Sequence, residues 1–309
     1  MTVASPHLPK LPGSLQFIER DWLSANHIIG FDEDGVTLVD TGYDKHKLLT
    51  CELIAKAIGE RPLKRIINTH LHADHCGGNA ALQARFGCAI TVPQASWSDV
   101  QTWNEKVLTY QGTAQKCDRF TASGVIEVGQ EWHMGGVLWQ AHSAPGHDPK
   151  SLIFFAPEER ILISADALWG NGYGVLFPEL DGLDASAEQA AVLRLIESLA
   201  PSLVLPGHGP MFTDVAAAIS RARVRLEAMR KDRRKHASNA LKVLMKFLLL
   251  DQEKIEIAQL PIILKDAAIM TRASEILGMS AIDAVTLAYR QLVAAGHLRM
   301  TTDQRYLLN

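Results

Sequence analysis

The segment between residues 69 and 78 concentrates side chains that could bind a metal. It reads Thr-His-Leu-His-Ala-Asp-His-Cys-Gly-Gly and contains His70, His72, Asp74 and His75 within six residues. His70 and His72 are two residues apart, so at the end of a strand both imidazoles point to the same side. Three imidazoles and a carboxylate this close together suit zinc or another borderline transition metal. The sequence therefore predicts a metal site at this turn.

A histidine-rich surface turn is the simpler alternative for the same segment. However, an apolar strand predicted over residues 64–69 leads into it, and Gly77 and Gly78 follow it. Glycines at this point allow the backbone and a following helix to pack closely around the turn. A solvated turn would explain neither feature, so we favour the metal site.

Short apolar runs alternate with helical stretches from residue 15 to about residue 209. Strands are predicted over residues 24–30, 35–42, 64–69, 124–128, 136–142, 151–155 and 160–164, and a helix over residues 46–58. Mixed strands and helices of this kind indicate sheets that are covered by helices.

The remainder of the chain has a different, helical character. Residues 213–250 contain no Gly or Pro and predict an almost continuous helix, followed by helices over 270–277 and 281–295. Residues 297–300 and 305–308 flank a polar turn like a two-stranded wing. A chain of 309 residues is long enough for more than one core. We therefore expect a first domain over residues 1–220 and a helical, winged-helix-like domain over residues 221–309.

Composition and charge exclude several classes of protein. Hydrophobic residues make up 47% of the chain and charged residues 21%, which excludes a disordered scaffold. The net charge of -3 gives no overall attraction to nucleic acid or to an anionic membrane. The four cysteines are scattered without a CxxC pair, so we expect reduced cytosolic thiols rather than a disulfide framework. Cys76 follows His75 but faces no matching thiol, which predicts a small buried residue rather than a metal ligand.

Two further observations bear on location. The first 13 residues show no basic region followed by an apolar run, so we expect no signal peptide. The most apolar later stretch, residues 241–250, is interrupted by Lys242 and Lys246 and is too short to span a bilayer. We expect a soluble, cytoplasmic protein without a membrane partner.

The HxHxDH pattern of residues 70–75 resembles the metal-binding signature of the metallo-β-lactamase-fold hydrolase superfamily. Later segments agree with the order of the family's motifs, which places a histidine at His147, an aspartate at Asp166 and a histidine at His208. Asp40, in an early Leu-Val-Asp-Thr-Gly segment, also matches. The helical tail is similar to that of the lactamase-β-2-like branch, and in glyoxalase II-like relatives a helical C-terminal region helps to bind an anionic part of the substrate.

The resemblance implies an α+β fold, a four-layer αββα sandwich, that binds two divalent metal ions. It implies that one metal is held by His70, His72 and His147, that the other is held by Asp74, His75 and His208, and that Asp166 bridges the two. Zinc is the expected metal, with iron and manganese as alternatives. Asp40 is implied to be a structural carboxylate behind the ligands.

The implied activity is that of a metal-dependent hydrolase. A hydroxide that bridges the metals would attack the carbonyl of a thioester, ester or lactone, with Asp74 and Asp166 as the catalytic carboxylates. The chain departs from many relatives after His147, where it has Asp148 and a proline. Asp148 could orient a ligand histidine. The alternative for Asp148 is a turn residue before that proline.

Two segments are predicted to shape the substrate pocket. The first, residues 93–120, carries Trp97 and Trp103, and the second, residues 168–177, carries Trp169, Tyr173 and Phe177. The alternative is that these aromatic side chains pack beneath the loops.

The segment between positions 221 and 236 is strongly basic and contains eight Lys and Arg residues. A solvated helix face is the simplest explanation, and recognition of a small anionic thioester substrate is the functional alternative. A nuclease that holds RNA or another single strand on this helix is a second function, although the tail lacks interleaved stacking aromatics. A non-catalytic binder is a third. The long helix could also support a homodimer.

Overall fold

The structure is a computed structural model that describes residues 11–309. Residues 1–10, and with them most of the segment behind the expectation of no signal peptide, lie outside the described residues. Within the described part of the chain, no helix combines the length and the apolar character needed to cross a membrane.

Two β-sheets form the middle of the first part of the chain. The first sheet contains, in spatial order, β1 (Leu15–Ile18), β2 (His27–Asp32), β3 (Gly35–Val39), β4 (Leu63–Ile67), β5 (Ala89–Pro93) and β6 (Gly124–Ile126). The second sheet contains β7 (Glu131–Met134), β8 (Val137–Ser143), β9 (Leu152–Ala156), β10 (Ile161–Ala165) and β11 (Leu203–Pro206), also as neighbours in this order. The strands β3 to β6 run parallel, as do β10 and β11, and the other neighbouring pairs are antiparallel.

Helices connect and cover these sheets, and further helices and strands follow them. The helices are α1 (Lys47–Ile58), α2 (Ala73–Cys76), α3 (Asn79–Phe86), α4 (Trp97–Thr102), α5 (Glu105–Leu108), α6 (Ala185–Leu199), α7 (Val215–Lys231), α8 (Arg233–Gln252), α9 (Leu260–Asp266), α10 (Ala268–Leu277) and α11 (Ala281–Ala294). Short 3₁₀ helices occupy Asp44–His46, Gln94–Ser96, Gln111–Thr113, Phe177–Asp181 and Ile257–Gln259. A third sheet has the order β12 (Lys254–Glu256), β14 (Tyr306–Leu308) and β13 (Arg299–Met300).

The alternation of side chains along the strands produces the four layers. In the first sheet, Ile29 and Leu38 pack in one core with α1 and α3, whereas Ile28 and Val39 face the second sheet. The inner core between the sheets includes Trp139 from β8. On its outer face the second sheet packs against α6 and α7. The expected αββα sandwich is therefore confirmed.

The strand ends gather the polar segments that the sequence singled out. Asp40 follows β3, the His70 to His75 turn follows β4, and Asp166 and His208 follow β10 and β11. Because these strands run parallel within each sheet, their carboxyl ends lie at a common edge. Open sheets bind ligands at this position because the loops that leave adjacent strands converge there.

The C-terminal helices pack around a separate core. The predicted helix over residues 213–250 is broken at Asp232, whose carboxylate accepts a hydrogen bond from the backbone nitrogen of Lys235 at 3.0 Å and so begins α8. Ala218 and Leu226, on either side of the predicted division at 220/221, pack in the same core against the second sheet. That division thus falls inside α7, and the separation into two domains stays a prediction.

The helices α8 to α11 and the third sheet confirm the winged-helix-like tail. The predicted wing differs in one respect, because β12 pairs with β14 and makes it three-stranded. The sequence pattern missed β12 since it is short and pairs with a strand about 50 residues later.

Packing in this core makes a stability prediction. Leu241 is fully buried in α8, so Leu241→Ala leaves a cavity and should lower the free energy of unfolding by about 2–5 kcal/mol. Denaturant titration followed by circular dichroism measures the change. The exposed side chain of Lys235 on the same helix provides the control, and Lys235→Ala should change stability by less than about 0.5 kcal/mol. Equal effects of the two substitutions would contradict the packing described here.

Candidate metal centre

Three imidazole nitrogens meet at one point beyond the ends of the strands. Nδ1 of His72 lies 3.1 Å from Nε2 of His70 and 2.7 Å from Nε2 of His147. Their potential ligand atoms all lie within 4.8 Å of one another. His70 and His147 are buried, and His72 is partly exposed toward a cavity. The structure thus brings together the three histidines that the sequence predicted as ligands of the first metal.

A second cluster lies beside the first and contains Asp74, His75, Asp166 and His208, all of them buried. Nε2 of His208 lies 3.1 Å from Oδ2 of Asp74, and Nε2 of His75 lies 3.2 Å from Oδ1 of Asp166. The structure therefore also brings together the residues predicted for the second metal.

Asp166 lies between the two clusters. Its Oδ2 is 3.2 Å from Nε2 of His147 in the first cluster, while its Oδ1 faces His75 and His208 in the second. Trp169 also donates a hydrogen bond to Oδ1 at 3.2 Å. One carboxylate with an oxygen toward each cluster has the geometry that a bridging ligand requires.

The outward nitrogens of three histidines have partners that fix the orientation of the rings. Nδ1 of His147 donates to the carbonyl oxygen of Val175 at 2.6 Å, and Nδ1 of His70 lies 3.1 Å from the hydroxyl of Thr69. Nδ1 of His75 lies 2.7 Å from Oδ2 of Asp40. Partners of this kind hold the ring and leave the opposite nitrogen free to bind a metal.

The histidines of the first cluster point lone pairs at one another, an arrangement that suits a bound metal ion better than direct contact between the rings. Because Nδ1 of His147 faces a carbonyl, its proton stays there and Nε2 presents a lone pair. Burial, together with the neighbouring His72, lowers the pKa of His147 to about 4, and burial lowers the pKa of His70 well below its usual value. Both imidazoles are therefore neutral near neutral pH, which is the form that binds metals.

The contacts within the second cluster also leave a donor atom unsatisfied. Nε2 of His75 makes no hydrogen bond of acceptable geometry, although it is buried and close to Asp166. Burial favours the neutral ring, but the carboxylates of Asp166 and Asp40 raise the pKa of His75 well above its usual value. Two carboxylates around one imidazole leave an excess of negative charge. A divalent cation would neutralise this charge and would bind Nε2 in place of its proton.

Asp148 makes contacts that correspond to both alternatives considered for it. Its Oδ2 lies 3.6 Å from Nε2 of His72, and its Oδ1 accepts a hydrogen bond from the backbone nitrogen of Lys150 at 2.6 Å. The second contact is that of a turn residue. An orienting role for Asp148 stays a prediction.

A cavity of about 280 Å³ lies over the two clusters. The floor includes His72, Asp74, His147 and His208. Of the five aromatic residues predicted to line it, Trp169 and Phe177 do so. The ring centroid of Trp169 lies 5.2 Å from that of His208, and the centroid of Phe177 lies 6.0 Å from that of His147.

The other three predicted pocket aromatics lie elsewhere. Trp97 and Trp103 pack against the core under the first sheet, whereas Thr109, Thr113 and Gln115 from the same predicted segment do line the cavity. Tyr173 is buried beneath the guanidinium of Arg225, whose carbon is 4.9 Å from the ring centroid. These side chains match the alternative interpretation, in which the aromatics pack beneath the loops.

Several cavity residues were missed by the sequence analysis. The helix α8 contributes Asn239, Val243 and Phe247, which are four residues apart and share one face. Trp22 and Arg225 also belong to the wall. The spacing of four residues between the α8 side chains could have predicted that they share one face of a helix. Nothing local to α8 indicated that this face meets the strand ends.

Cys76 is buried, as expected, but it does face a thiol. Its Sγ lies 3.7 Å from Sγ of Cys117 and 3.3 Å from the hydroxyl of Tyr110. The expectation of an isolated thiol is wrong because Cys117, which is 41 residues away in the sequence, folds back against the metal-binding turn.

Close packing around the floor makes a prediction for metal content. A Cβ atom at Gly174 would lie 2.5 Å from Nδ1 of His147. Gly174→Ala should therefore displace that ring and lower the metal affinity by about 10- to 100-fold, as measured by metal analysis after equilibrium dialysis. Gly170→Ala in the same loop is the control, since its Cβ would meet only Phe212 at 3.8 Å. Unchanged metal retention in Gly174→Ala would show that His147 is not a ligand.

Comparison with known proteins agrees with this geometry. The sequence profile described as the metallo-beta-lactamase superfamily matches residues 22–208. A hydroxyacylglutathione hydrolase of Brucella anthropi is 26% identical over 193 residues, which cover 60% of this chain and 63% of that protein. A second, from Rhizobium meliloti, is 32% identical over 115 residues, or 37% of this chain and 38% of that protein. The chain thus spans less than two thirds of the length of these curated relatives.

Solved structures show the same fold. A metallo-beta-lactamase family protein from Thermus thermophilus superposes with a TM-score of 0.59 at 18% identity, covering 97% of this chain and 99% of that chain. A beta-lactamase domain protein from Burkholderia ambifaria gives a TM-score of 0.58 at 20% identity, with coverages of 98% and 97%. At these identities the likeness concerns the fold alone. The profile match extends over more than half of the chain and includes the ordered histidines and aspartates, and the chain belongs to the metallo-beta-lactamase superfamily.

Proposed function

We propose that this protein is a metal-dependent hydrolase that uses two divalent metal ions, with zinc as the first choice and iron or manganese as alternatives. The observation that carries the proposal is the pair of donor sets that share Asp166 at the floor of the cavity. His70, His72 and His147 would hold one ion, and Asp74, His75 and His208 would hold the other. Ions in such sites polarise a carbonyl and lower the pKa of a bound water towards about 7.

The residues around the floor would position the substrate and control access to it. Asp74 lines the cavity, and its carboxylate would accept a proton from the attacking water. Trp22 and Trp169 stand on one side, with Phe177 on the other. Such apolar walls exclude bulk water and strengthen the electrostatic interactions at the reacting carbonyl.

A thioester with an anionic portion is the substrate class that we propose. Arg225 lines the cavity, and its guanidinium donates a hydrogen bond to the carbonyl oxygen of Tyr173 at 3.0 Å. Among residues 11–309, no acidic side chain pairs with it, and burial lowers its pKa. A partly buried cation without a counter-charge is unfavourable, and an anionic group of the substrate would supply the missing partner. The hydroxyacylglutathione hydrolases among the relatives are named for thioester cleavage.

The contacts of the arginines in α7 favour a small substrate over a nucleic acid. Arg221 donates to the carbonyl oxygen of Gly170 at 2.9 Å, and Arg223 pairs with Glu197 at 2.7 Å. Arg225 lies in the cavity. The first three basic residues of the stretch therefore contact other parts of this protein. A cytoplasmic location and a homodimer stay predictions.

Activity should depend on the donor sets. His72→Ala and Asp166→Ala should each lower thioester hydrolysis by at least about 100-fold and lower the metal content, because each removes a ligand. A panel of thioesters, esters, lactones and RNA, read together with elemental analysis, measures both. The exposed His133 lies away from the clusters, so His133→Ala is the control and should change neither. Full activity and metal content in Asp166→Ala, or cleavage of RNA alone, would contradict the proposal.

Recognition of charge should depend on Arg225. Arg225→Met should lower kcat/KM for an anionic thioester by about 10- to 100-fold, the loss expected for one charge-assisted hydrogen bond. Hydrolysis of an uncharged thioester should change much less, which separates lost recognition from a general disturbance of the cavity. Arg223→Met, on the exposed side of the same helix, is the matched control. Equal losses for both substrates would mean that Arg225 only supports the packing of Tyr173.

A further inference from the structure

Two thiols that have no part in the proposed hydrolysis lie directly behind the metal-binding turn. Cys76 ends α2 and follows His75, while Cys117 lies between the 3₁₀ helix Gln111–Thr113 and β6. Their Sγ atoms are 3.7 Å apart. Cys51 and Cys88 are also free and buried, but no contact joins their sulfurs to those of Cys76 or Cys117. A direct contact between sulfurs therefore joins Cys76 and Cys117 among the described residues.

The two sulfurs differ in their access to solvent. Cys76 is fully buried, and its Sγ lies 3.3 Å from both the carbonyl oxygen of His72 and the hydroxyl of Tyr110. Cys117 is partly exposed. A solute that oxidises thiols would consequently reach Cys117 first and would leave Cys76 within reach of the product. This is the arrangement of an accessible thiol next to a resolving thiol.

We infer that Cys76 and Cys117 form a reversible disulfide when the protein meets a peroxide. In the first step the sulfur of Cys117 attacks a peroxide oxygen, the O–O bond breaks, and a sulfenic acid and one water form. In the second step the sulfur of Cys76 attacks the sulfenic sulfur, an S–S bond replaces the S–O bond, and a second water leaves. The two thiols lose two electrons and two protons in total, and the peroxide is reduced to two waters.

The local backbone allows the sulfurs to meet. A disulfide requires about 2.05 Å between sulfurs, so one side must move by less than 2 Å from the present separation of 3.7 Å. Residues 114–123 contain no helix or strand. Hydrogen bonds hold the backbone at both ends of this segment, whereas the backbone nitrogens of residues 117–120 donate none. Two of these bonds are from Gln115 to the carbonyl of Tyr110 at 2.8 Å and from Lys116 to the hydroxyl of Tyr43 at 3.2 Å. A shift of Cys117 toward Cys76 by less than about 2 Å would bring the two sulfurs to bonding distance.

The disulfide would add a covalent bond between two parts of the site that otherwise meet through noncovalent contacts, such as that of Cys76 with Tyr110. Thr109, Thr113 and Gln115 from the segment before Cys117 line the cavity, while Cys76 belongs to the turn that carries His72, Asp74 and His75. A bond between the sulfurs would tether this cavity wall to the metal-binding turn. Oxidation would thereby restrict the movement of the wall without adding or removing a metal-binding residue.

The test uses the purified full-length protein treated with hydrogen peroxide, followed by alkylation of the remaining thiols and peptide mapping by mass spectrometry. We expect the loss of two of the four free thiols, a cross-linked peptide pair containing Cys76 and Cys117, and recovery of both thiols with a reductant. Because the cross-link closes a long loop, the melting temperature of the oxidised protein should rise by several degrees, about 5 °C. The readouts are mass and thermal stability, so they do not depend on the proposed hydrolase function.

Cys117→Ser is the main variant because this side chain is partly exposed, and it should abolish the cross-link and the rise in melting temperature while the circular dichroism spectrum stays unchanged. Cys51→Ser and Cys88→Ser are controls that should keep both. Three results would overturn the inference: a cross-link between other cysteines, oxidation of Cys117 to the sulfinic acid without a cross-link, or four thiols that survive treatment of the folded protein.

Discussion

The buried carboxylate of Asp40 joins the two strand ends on which the candidate metal centre is built. It follows β3 and accepts hydrogen bonds from the backbone nitrogen and the hydroxyl of Thr69, which follows β4, at 2.9 and 2.7 Å. The same carboxylate holds Nδ1 of His75 at 2.7 Å. Its backbone has a φ of 55°, an unfavourable value for a residue other than glycine. These three contacts offset both that strain and the burial of the charge. Together with the backbone bond from Thr41 to the carbonyl oxygen of His75 at 2.8 Å, they hold the turn that carries four of the seven donors.

A second constraint is the lack of space around the donors. At Gly207 a Cβ atom would overlap Oδ1 of Asp166 and would lie 2.9 Å from Cε1 of His75. At Gly78 a Cβ atom would lie 2.5 Å from the carbonyl oxygen of Thr41. Gly78 and Gly207 are therefore required because neighbouring atoms occupy the space of a side chain. Donors from four separate strand ends can converge only if the intervening backbone approaches this closely.

The sequence was informative where a local pattern determines the outcome. Short apolar runs predicted most strands of the two sheets, and the resemblance carried by the ordered histidines and aspartates predicted the members of both donor clusters. It was uninformative where the outcome depends on tertiary packing. The break at Asp232 requires a capping bond, and the position of Trp97 and Trp103 depends on which core their segment meets. The proximity of Cys76 and Cys117 likewise depends on the path of a segment with no regular structure.

The cavity combines two groups of residues that are far apart in the sequence. The donors all precede residue 209, whereas Asn239, Val243 and Phe247 of α8 form part of the wall above them. The helix itself contributes no donor to either cluster. Under the proposed function, reactivity would then belong to the strand ends and selectivity to α7 and α8. Relatives that align only over the donor region could consequently share the chemistry and differ in substrate, because the alignment omits the helix that shapes the space for it.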